Sequence, residues 1–219
     1  MLFIFDMGGV VTSTAELLPR ILQILKMERG EFLSCCGCPE NNSSARDPMT
    51  RVEYHKNVLD LLTMCSDGII TTKQFWSEFS RRAGVPVQTD WWQHLFHPVL
   101  NEKTVALVKS LKALGHRVVC GTNTIDAHYR THVERGDYSY FDQTYASIFM
   151  EVSKPDLDFW NIILTAENVK ASDAVFIDDK KQNCDAASKL GIKSFVFTDA
   201  KKLEQDLKNE LSLDLGESV

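Results

Sequence analysis

Residues 2–11 read LFIFDMGGVV, an apolar run that ends on an acidic residue and two glycines. Consecutive apolar residues followed by a turn signal predict a short buried strand. Because a parallel sheet binds ligands where its strands end, Asp6 is predicted to lie beside a ligand. Gly8 and Gly9 allow the chain to turn sharply close to that ligand. This stretch therefore predicts the first strand of an α/β fold and the start of its functional site.

Beyond residue 100 the sequence alternates between helical and strand patterns. Short apolar runs separated by longer helical segments are typical of βαβ units and a parallel sheet. Gly115, Gly136 and Gly191 follow three predicted helices, in the position that terminates them. We therefore predict an α/β fold with a parallel sheet. Its further strands are predicted at 117–123, 144–150, 174–178 and 194–199, and its helices at 101–115, 126–136, 155–167, 181–191 and 200–211.

Residues 13–98 carry helical patterns instead. We expect them to form an all-helical insertion after the first strand, called the cap below, with residues 1–12 and 99–219 forming the α/β core domain. Phe75, Trp76 and Phe79 lie at helical spacing and are predicted to form the core of the cap. Predicted cap helices are 17–26, 51–65 and 71–83, an irregular loop is predicted at 35–48, and the aromatic residues Trp91, Trp92 and Phe96 are expected at the junction of cap and core.

Composition restricts the partners of the chain. With 219 residues and 44% hydrophobic content, it is long enough to bury a core. A formal charge of −6 and the lack of long basic runs argue against nucleic acid, so a small molecule is the expected ligand. No apolar window or leader pattern suggests a membrane, and a cytoplasmic monomer or homodimer with reduced thiols is expected. Cys35, Cys36 and Cys38 lack the paired spacing and fourth ligand of a zinc site.

The ends of the predicted strands carry polar residues in a particular order. The segments FDMGGVV, VVCGTNT, SKPDLDFW and VFIDDKKQNC contain these ends, or the loop between them, at residues 5–11, 118–124, 153–160 and 175–184. In this order they resemble the four motifs of the haloacid dehalogenase-like (HAD) hydrolase superfamily. The resemblance spans residues 1 to about 200. It implies a doubly wound, Rossmann-like parallel sheet, and it identifies the helical insertion at 13–98 with the small all-helical cap domain of that family.

The first motif supplies the expected nucleophile. A carboxylate that is ionised at neutral pH can attack phosphorus without a base, so Asp6 can form an aspartyl-phosphate. The resemblance implies a Mg²⁺-dependent phosphatase that hydrolyses a small phosphate monoester, such as a sugar phosphate. Thr122 and Asn123 are expected to donate hydrogen bonds to the phosphoryl oxygens. Lys154 is expected to pair with Asp6 and with those oxygens.

The acidic pair of the fourth motif predicts a metal site. Asp178 and Asp179 would bring two negative charges toward Asp6 and a phosphate dianion, which requires a cation. Mg²⁺ prefers such oxygen ligands and would bind a carboxylate from each strand end together with a backbone carbonyl. The resemblance implies that Asp6, Asp178 and the carbonyl of Gly8 bind the ion, and that Asp179 and Asn183 orient these ligands.

Gly8 departs from the usual phosphatase motif. Most phosphatases of the superfamily carry there a second Asp, which protonates the leaving alkoxide, and its loss costs about 10²- to 10⁴-fold in rate. A branch of sugar-phosphate phosphatases resembles this chain in lacking the second Asp. Three interpretations stay open: such a phosphatase, a haloacid dehalogenase whose halide leaves unprotonated, or a catalytically weak protein that binds a phosphorylated metabolite. Residues that could replace the acid are Asp126, His128, His55, His94 and His97.

Overall fold

A five-stranded parallel sheet forms the centre of the fold, in a computed structural model that describes residues 1–38 and 60–215. Its strands are β1 (Leu2–Phe5), β4 (Arg117–Thr122), β5 (Gln143–Ala146), β6 (Ala174–Asp178) and β7 (Lys193–Val196). Their order is β5-β4-β1-β6-β7, so β1 occupies the middle of the sheet between β4 and β6. Two short strands, β2 (Thr12–Ser13) and β3 (Val99–Leu100), pair antiparallel in a separate ribbon that joins the two ends of the predicted cap.

Eleven α-helices lie in the described ranges. They are α1 (Leu17–Leu25), α2 (Arg29–Cys36), α3 (Leu61–Ser66), α4 (Thr72–Ala83), α5 (Trp91–His94), α6 (Glu102–Ala113), α7 (Asp126–Arg135), α8 (Ser147–Met150), α9 (Leu157–Glu167), α10 (Lys181–Lys189) and α11 (Ala200–Leu211). Among residues 1–38 and 60–215, no helix has the length and apolar character needed to cross a membrane.

Helices cover both faces of the sheet. Because successive side chains of a strand point to opposite faces, β1 contributes to two separate cores. Phe3 and Phe5 pack into a cluster with residues of α6 and α11, whereas Leu2 and Ile4 pack into a cluster with residues of α9 and α10. Burial on both faces explains the uninterrupted apolar run of β1. The predicted doubly wound α/β fold is confirmed.

Helices α1 to α5 have a core of their own. Phe75, Trp76 and Phe79 are fully or almost fully buried in it, as their spacing predicted, together with Ile21 and Phe32. The rings of Phe75 and Phe79 stack with centroids 6.1 Å apart. This third cluster supports the division into cap and core, whose boundaries at residues 13 and 98 stay a prediction.

Two predicted elements of the core domain were wrong in part. The strand predicted at 144–150 ends at Ala146, and α8 takes the residues after it. A short apolar run does not distinguish a strand from a helix. At the start of α8, the hydroxyl of the buried Ser147 donates to the carbonyl of Ser66 at 2.6 Å. The helix predicted at 155–167 begins at Leu157, with the carboxylate of Asp156 capping it. Pro155 therefore precedes the helix instead of lying in its first turn.

The cap also differs from the prediction. Helix α2 was not predicted, because Gly30 and the charged residues beside it disguise the spacing of its buried residues, Phe32 and Cys36. Cys35 and Cys36 therefore end a helix and do not lie in an irregular loop. Both are free thiols, as are Cys65, Cys120 and Cys184. Of the helix predicted at 51–65, α3 covers the end, while residues 51–59 and most of the predicted loop, 39–48, lie outside the described residues.

Candidate active site

The carboxyl ends of the two central strands bring two acidic side chains together. Asp6 follows β1 and Asp178 ends β6, and the backbone N–H of Asp6 donates to the carbonyl of Ile177 at 2.8 Å. This bond extends the pairing of the two strands by one residue beyond Phe5. Asp178 is fully buried and Asp6 is only 8% exposed. The folded chain therefore holds two carboxylates side by side, almost entirely away from water.

The ammonium group of Lys154 lies between these carboxylates. Its Nζ is 2.9 Å from Oδ1 of Asp6 and 2.8 Å from Oδ2 of Asp178. It also donates to the carbonyl of Gly121 at 2.9 Å. An ammonium group has three protons, so each is committed to one acceptor. Lys154 is therefore held at a fixed point of the site.

Asn123 fixes the loop that carries Lys154. Its Nδ2 donates to the carbonyl of Lys154 at 2.9 Å, and its Oδ1 accepts from the backbone N–H of Lys154 at 2.8 Å. The hydroxyl of Thr122, which is buried, donates to the carbonyl of Asn123 at 3.3 Å. The sequence did not predict that Asn123 would position the backbone of Lys154. The predicted contacts of Thr122 and Asn123 with phosphoryl oxygens stay a prediction.

Gly121 is a further residue that the sequence analysis missed. A Cβ atom at this position would lie 2.8 Å from Cγ2 of Ile4 and 3.3 Å from a ring carbon of Phe159. Only glycine lets β4 approach these side chains while its carbonyl accepts from Lys154. A lone glycine inside a strand pattern is a known signal of close approach, and that signal was present in the sequence.

The charges of the site oppose and compensate one another. Burial raises the pKa of Asp6 to about 6, while the Lys154 ammonium lowers it and the Asp178 carboxylate raises it further. Burial works against the charge of Lys154, but the carboxylates of Asp6 and Asp178 outweigh it and raise the pKa of this lysine. At neutral pH Lys154 is charged and Asp6 is mostly ionised, although the pKa of Asp6 lies closer to 7 than that of an ordinary aspartate.

A third carboxylate completes an acidic cluster. One oxygen each of Asp6, Asp178 and Asp179 lie within 4.8 Å of one another. Partial desolvation at the base of the site and the charge of Asp178 raise the pKa of Asp179, although its side chain reaches the protein surface. Three carboxylates around one ammonium leave an excess of negative charge, and oxygen ligands of this kind suit Mg²⁺. The residues present therefore fit the predicted ion.

The partners of Asp178 and Asp179 orient this cluster. Oδ2 of Asp178 accepts from the side-chain amide of Asn183 at 2.9 Å, and its Oδ1 accepts from the backbone N–H of Lys180 at 2.8 Å. Gly9 has a φ of +82°, and a Cβ there would lie 2.6 Å from Oδ2 of Asp179. The turn after Asp6 therefore packs its backbone against Asp179, which only glycine allows.

Asp126, a predicted substitute for the missing acid, connects cap and core. Its Oδ1 accepts from the backbone N–H of Thr72 in the first turn of α4 at 2.8 Å. Its Oδ2 lies 3.6 Å from the guanidinium of Arg130. These contacts give Asp126 a structural role.

His128 is also bound in a structural contact. Its Nε2 lies 3.0 Å from the carbonyl of Trp92, and its ring stacks on Phe96 with centroids 3.7 Å apart. Burial lowers the pKa of His128 to about 4, so the ring is neutral at pH 7 and Nε2–H donates to this carbonyl. It is therefore a poor source of a proton. His94 and His97 are exposed, and His55 lies outside the described residues.

A cavity of about 210 Å³ adjoins Asn123 between the cap and the core domain. It is lined by residues of α3 and α5 and by the segment that follows β4. A larger cavity of about 670 Å³ lies along α4 and is lined by Thr72, Asp90 and Arg130, but none of the strand-end residues lines it. Because none of these residues lines it, it is a weaker substrate site despite its volume. The lining residues of the smaller cavity are Leu62, Cys65, Ser66, Trp92, Asn123, Thr124, Ile125 and His128.

Comparisons with known proteins identify the family and the fold. A family model described as haloacid dehalogenase-like hydrolase matches residues 1–191. The sesquiterpene phosphatase astK from Aspergillus oryzae is 30% identical over 100 residues, which cover 45% of this chain and 50% of that protein. The chain thus matches about half the length of this curated relative.

Two solved structures share the fold over nearly the whole chain. A predicted HAD-like family hydrolase from Porphyromonas gingivalis superposes with a TM-score of 0.70 at 19% identity, covering 97% of this chain and 98% of that one. The HAD family enzyme bt-2542 from Bacteroides thetaiotaomicron, in complex with magnesium and inorganic phosphate, gives 0.62 at 20% identity, covering 92% and 98%. At this identity the similarity establishes the fold, and activity has to be argued from the site.

Replacing Lys154 by Met should destabilise the metal-free protein by about 3 to 5 kcal/mol, because it leaves the carboxylates of Asp6 and Asp178 buried without their cation. Added Mg²⁺ should recover part of this loss, so the midpoint of thermal unfolding should rise more with Mg²⁺ in the variant than in the wild type. Lys170→Met, at an exposed lysine, is the control. Equal stability of the Lys154 variant and the control in EDTA would contradict the assigned role of the ammonium group.

Proposed function

The chain belongs to the haloacid dehalogenase-like hydrolase family, and we propose that it is a Mg²⁺-dependent phosphatase that hydrolyses a small phosphate monoester through an aspartyl-phosphate on Asp6. The observation that carries this proposal is the cluster of Asp6, Asp178 and Asp179 carboxylates within 4.8 Å, with the ammonium of Lys154 beside it. A dehalogenase that uses no metal does not need such a cluster. The phosphatase activity in the name of the relative astK supports the same reaction class.

Asp6 is suited to attack phosphorus by the way its carboxylate is held. The backbone N–H of Met7 donates to Oδ1 of Asp6 at 2.8 Å, and Lys154 contacts the same oxygen. Because both contacts fall on Oδ1, we assign Oδ2 as the attacking atom. Attack by Oδ2 forms the bond to phosphorus and displaces the alcohol, and hydrolysis of the aspartyl-phosphate then releases phosphate and regenerates the carboxylate.

Charge compensation decides whether a phosphate dianion can approach this carboxylate. The Lys154 ammonium supplies one positive charge at the base of the site. Asp6, Asp178 and the carbonyl of Gly8 would hold Mg²⁺, with Asp179 beside them, and the ion would supply the positive charge that the anionic substrate and three carboxylates require. Thr122 and Asn123, at the end of β4, would donate to the phosphoryl oxygens, and for this the Thr122 hydroxyl has to turn away from the carbonyl of Asn123.

Protonation of the leaving alkoxide is the step that the site supports least. Gly8 has no side chain to protonate it, and the contacts of Asp126 and His128 engage both of these substitutes elsewhere. We therefore propose that departure of the alcohol limits the rate. Esters of acidic alcohols such as p-nitrophenol should be hydrolysed well, because their alkoxides leave without a proton, whereas alkyl phosphates should be hydrolysed slowly.

Asp6→Asn should reduce the hydrolysis of p-nitrophenyl phosphate by about 10⁴-fold or more, because an amide oxygen is a poor nucleophile. The change preserves the shape of the side chain, so the circular dichroism spectrum should match that of the wild type. Asp158→Asn, at an exposed position on α9, is the matched control and should keep full activity. Full activity of the Asp6 variant would refute the assigned nucleophile.

Activity should depend on a divalent cation. EDTA should abolish phosphate release and Mg²⁺ should restore it, because the carboxylate cluster repels the substrate without a cation. Halide release from 2-chloropropionate in EDTA is the opposing measurement. If halide is released and phosphate is not, the chain is a dehalogenase and the phosphatase proposal is wrong.

Gly8→Asp should raise kcat for alkyl phosphates by up to about 10²- to 10⁴-fold, because it supplies the missing acid. A side chain fits there: no atom lies within 4 Å of a Cβ at Gly8, and its backbone lies outside the left-handed region. Gly8→Asn has the same shape without a transferable proton and is the control. The gain should be much smaller for p-nitrophenyl phosphate, and equal rates for the Asp and Asn variants on alkyl phosphates would show that protonation does not limit turnover.

A further inference from the structure

We propose that the alcohol portion of the substrate is uncharged and apolar, with about six to ten carbon atoms, and binds in the cavity of about 210 Å³ beside Asn123. We call this space the leaving-group cavity. The inference rests on the proposed phosphatase function and names the class of substrate on which it acts. It differs from the expectation of a sugar phosphate, which came from the first motif.

The walls of the leaving-group cavity are predominantly apolar. Leu62 and Cys65 come from α3, Trp92 comes from α5, and Ile125 directly precedes α7. Burial raises the pKa of Cys65 to about 12, so its thiol is neutral at pH 7. His128 is neutral as well, since burial lowers its pKa to about 4. None of the described residues that line the cavity therefore carries a charge at neutral pH.

Three polar side chains on the lining already have partners. The amide of Asn123 bonds both backbone groups of Lys154, the hydroxyl of Thr124 donates to the carbonyl of Ile125, and Nε2 of His128 contacts the carbonyl of Trp92. A sugar placed here would lose water from its hydroxyl groups and find these three side chains engaged. Since an unpaired buried hydroxyl costs about 1 to 3 kcal/mol, which is roughly a 5- to 150-fold loss in affinity, the cavity selects against sugars.

Asn123 connects the cavity to the reacting group. Its side chain lines the cavity and also holds the backbone of Lys154, whose ammonium contacts Asp6 at 2.9 Å. A single residue, Lys154, therefore links the cavity wall to Asp6. The carbon chain of an ester bound at Asp6 would extend along Asn123 into the cavity.

The volume sets the size of the chain. An apolar cavity of about 150 Å³ holds benzene, so about 210 Å³ accommodates six carbons and some more. Each buried methylene should improve binding about fourfold. Affinity should therefore rise through a series of alkyl chains and stop rising when the cavity is full.

The binding test uses n-alkylphosphonates from methyl to decyl, which resist hydrolysis, with the Mg²⁺-loaded protein in a calorimeter. The dissociation constant should fall about fourfold per methylene and level off between six and ten carbons. Hexylphosphonate should bind at least tenfold more tightly than glucose 1-phosphate. Equal affinities along the series, or tighter binding of the sugar phosphate, would overturn the inference.

Variants locate the site. Leu62→Gln should weaken hexylphosphonate binding about tenfold or more and leave methylphosphonate unchanged. Leu33→Gln is the matched control, because Leu33 packs in the same cap cluster with similar exposure but does not line the cavity. Ile125→Gln provides a second variant from the core side in case the first does not fold. Equal weakening by the control would place the alkyl chain elsewhere and refute the inference.

Hydrolysis of n-alkyl phosphates, whose alcohols share one acidity, separates this inference from the function on which it depends. Hydrolysis of these esters with a kcat/KM that does not depend on chain length would refute the apolar cavity alone. Graded binding of the phosphonates with no release of phosphate from any ester in Mg²⁺ would refute the phosphatase, and with it the assignment of the cavity to a leaving group.

Discussion

The position of one ammonium group makes the rest of the site possible. Parallel pairing of β1 with β6 places Asp6 and Asp178 side by side in the interior, where ionised carboxylates cost several kcal/mol each. Lys154 contacts both and is held by Gly121 and Asn123. This cation offsets part of the cost and leaves the cluster negative. The remaining negative charge destabilises the metal-free site and favours the binding of a divalent ion. The excess of carboxylates therefore lowers the stability of the fold and also provides the ligands for a metal ion.

Contacts between cap and core determine the space beside this cluster. Gly68 has a φ of +72°, and a Cβ there would lie 2.2 Å from the carbonyl oxygen of Ile148, an approach that only glycine permits. The Ser147 hydroxyl donates to the carbonyl of Ser66, and Asp126 accepts from the N–H of Thr72. These bonds attach the end of α3 and the start of α4 to the core domain. They fix α3, which contributes Leu62 and Cys65 to the proposed leaving-group cavity, relative to the core domain.

The sequence was informative where chemistry follows from position along a strand. Asp6 and Asp178 could be placed because each ends an apolar run, and such ends meet at one edge of a parallel sheet. The hydrogen bonds of Asn123 to the backbone of Lys154 could not be predicted, because they depend on how a side chain is oriented toward backbone 31 residues away. The same limit applies to His128, which a motif suggests as an acid and which its contacts with Trp92 and Phe96 hold as a neutral packing residue.

Gly8 and the apolar cavity affect catalysis in different ways. Lack of a general acid costs about 3 to 5 kcal/mol of barrier for an alkyl ester. Burial of six carbons contributes about 5 kcal/mol of binding, which is similar in size. The two do not cancel in kcat, because a chain buried equally in the ground state and the transition state lowers KM and leaves the chemical step unchanged. The proposed site therefore favours an enzyme that recognises an apolar phosphate at low concentration and turns it over slowly, with selectivity from the cap and a rate limited at position 8.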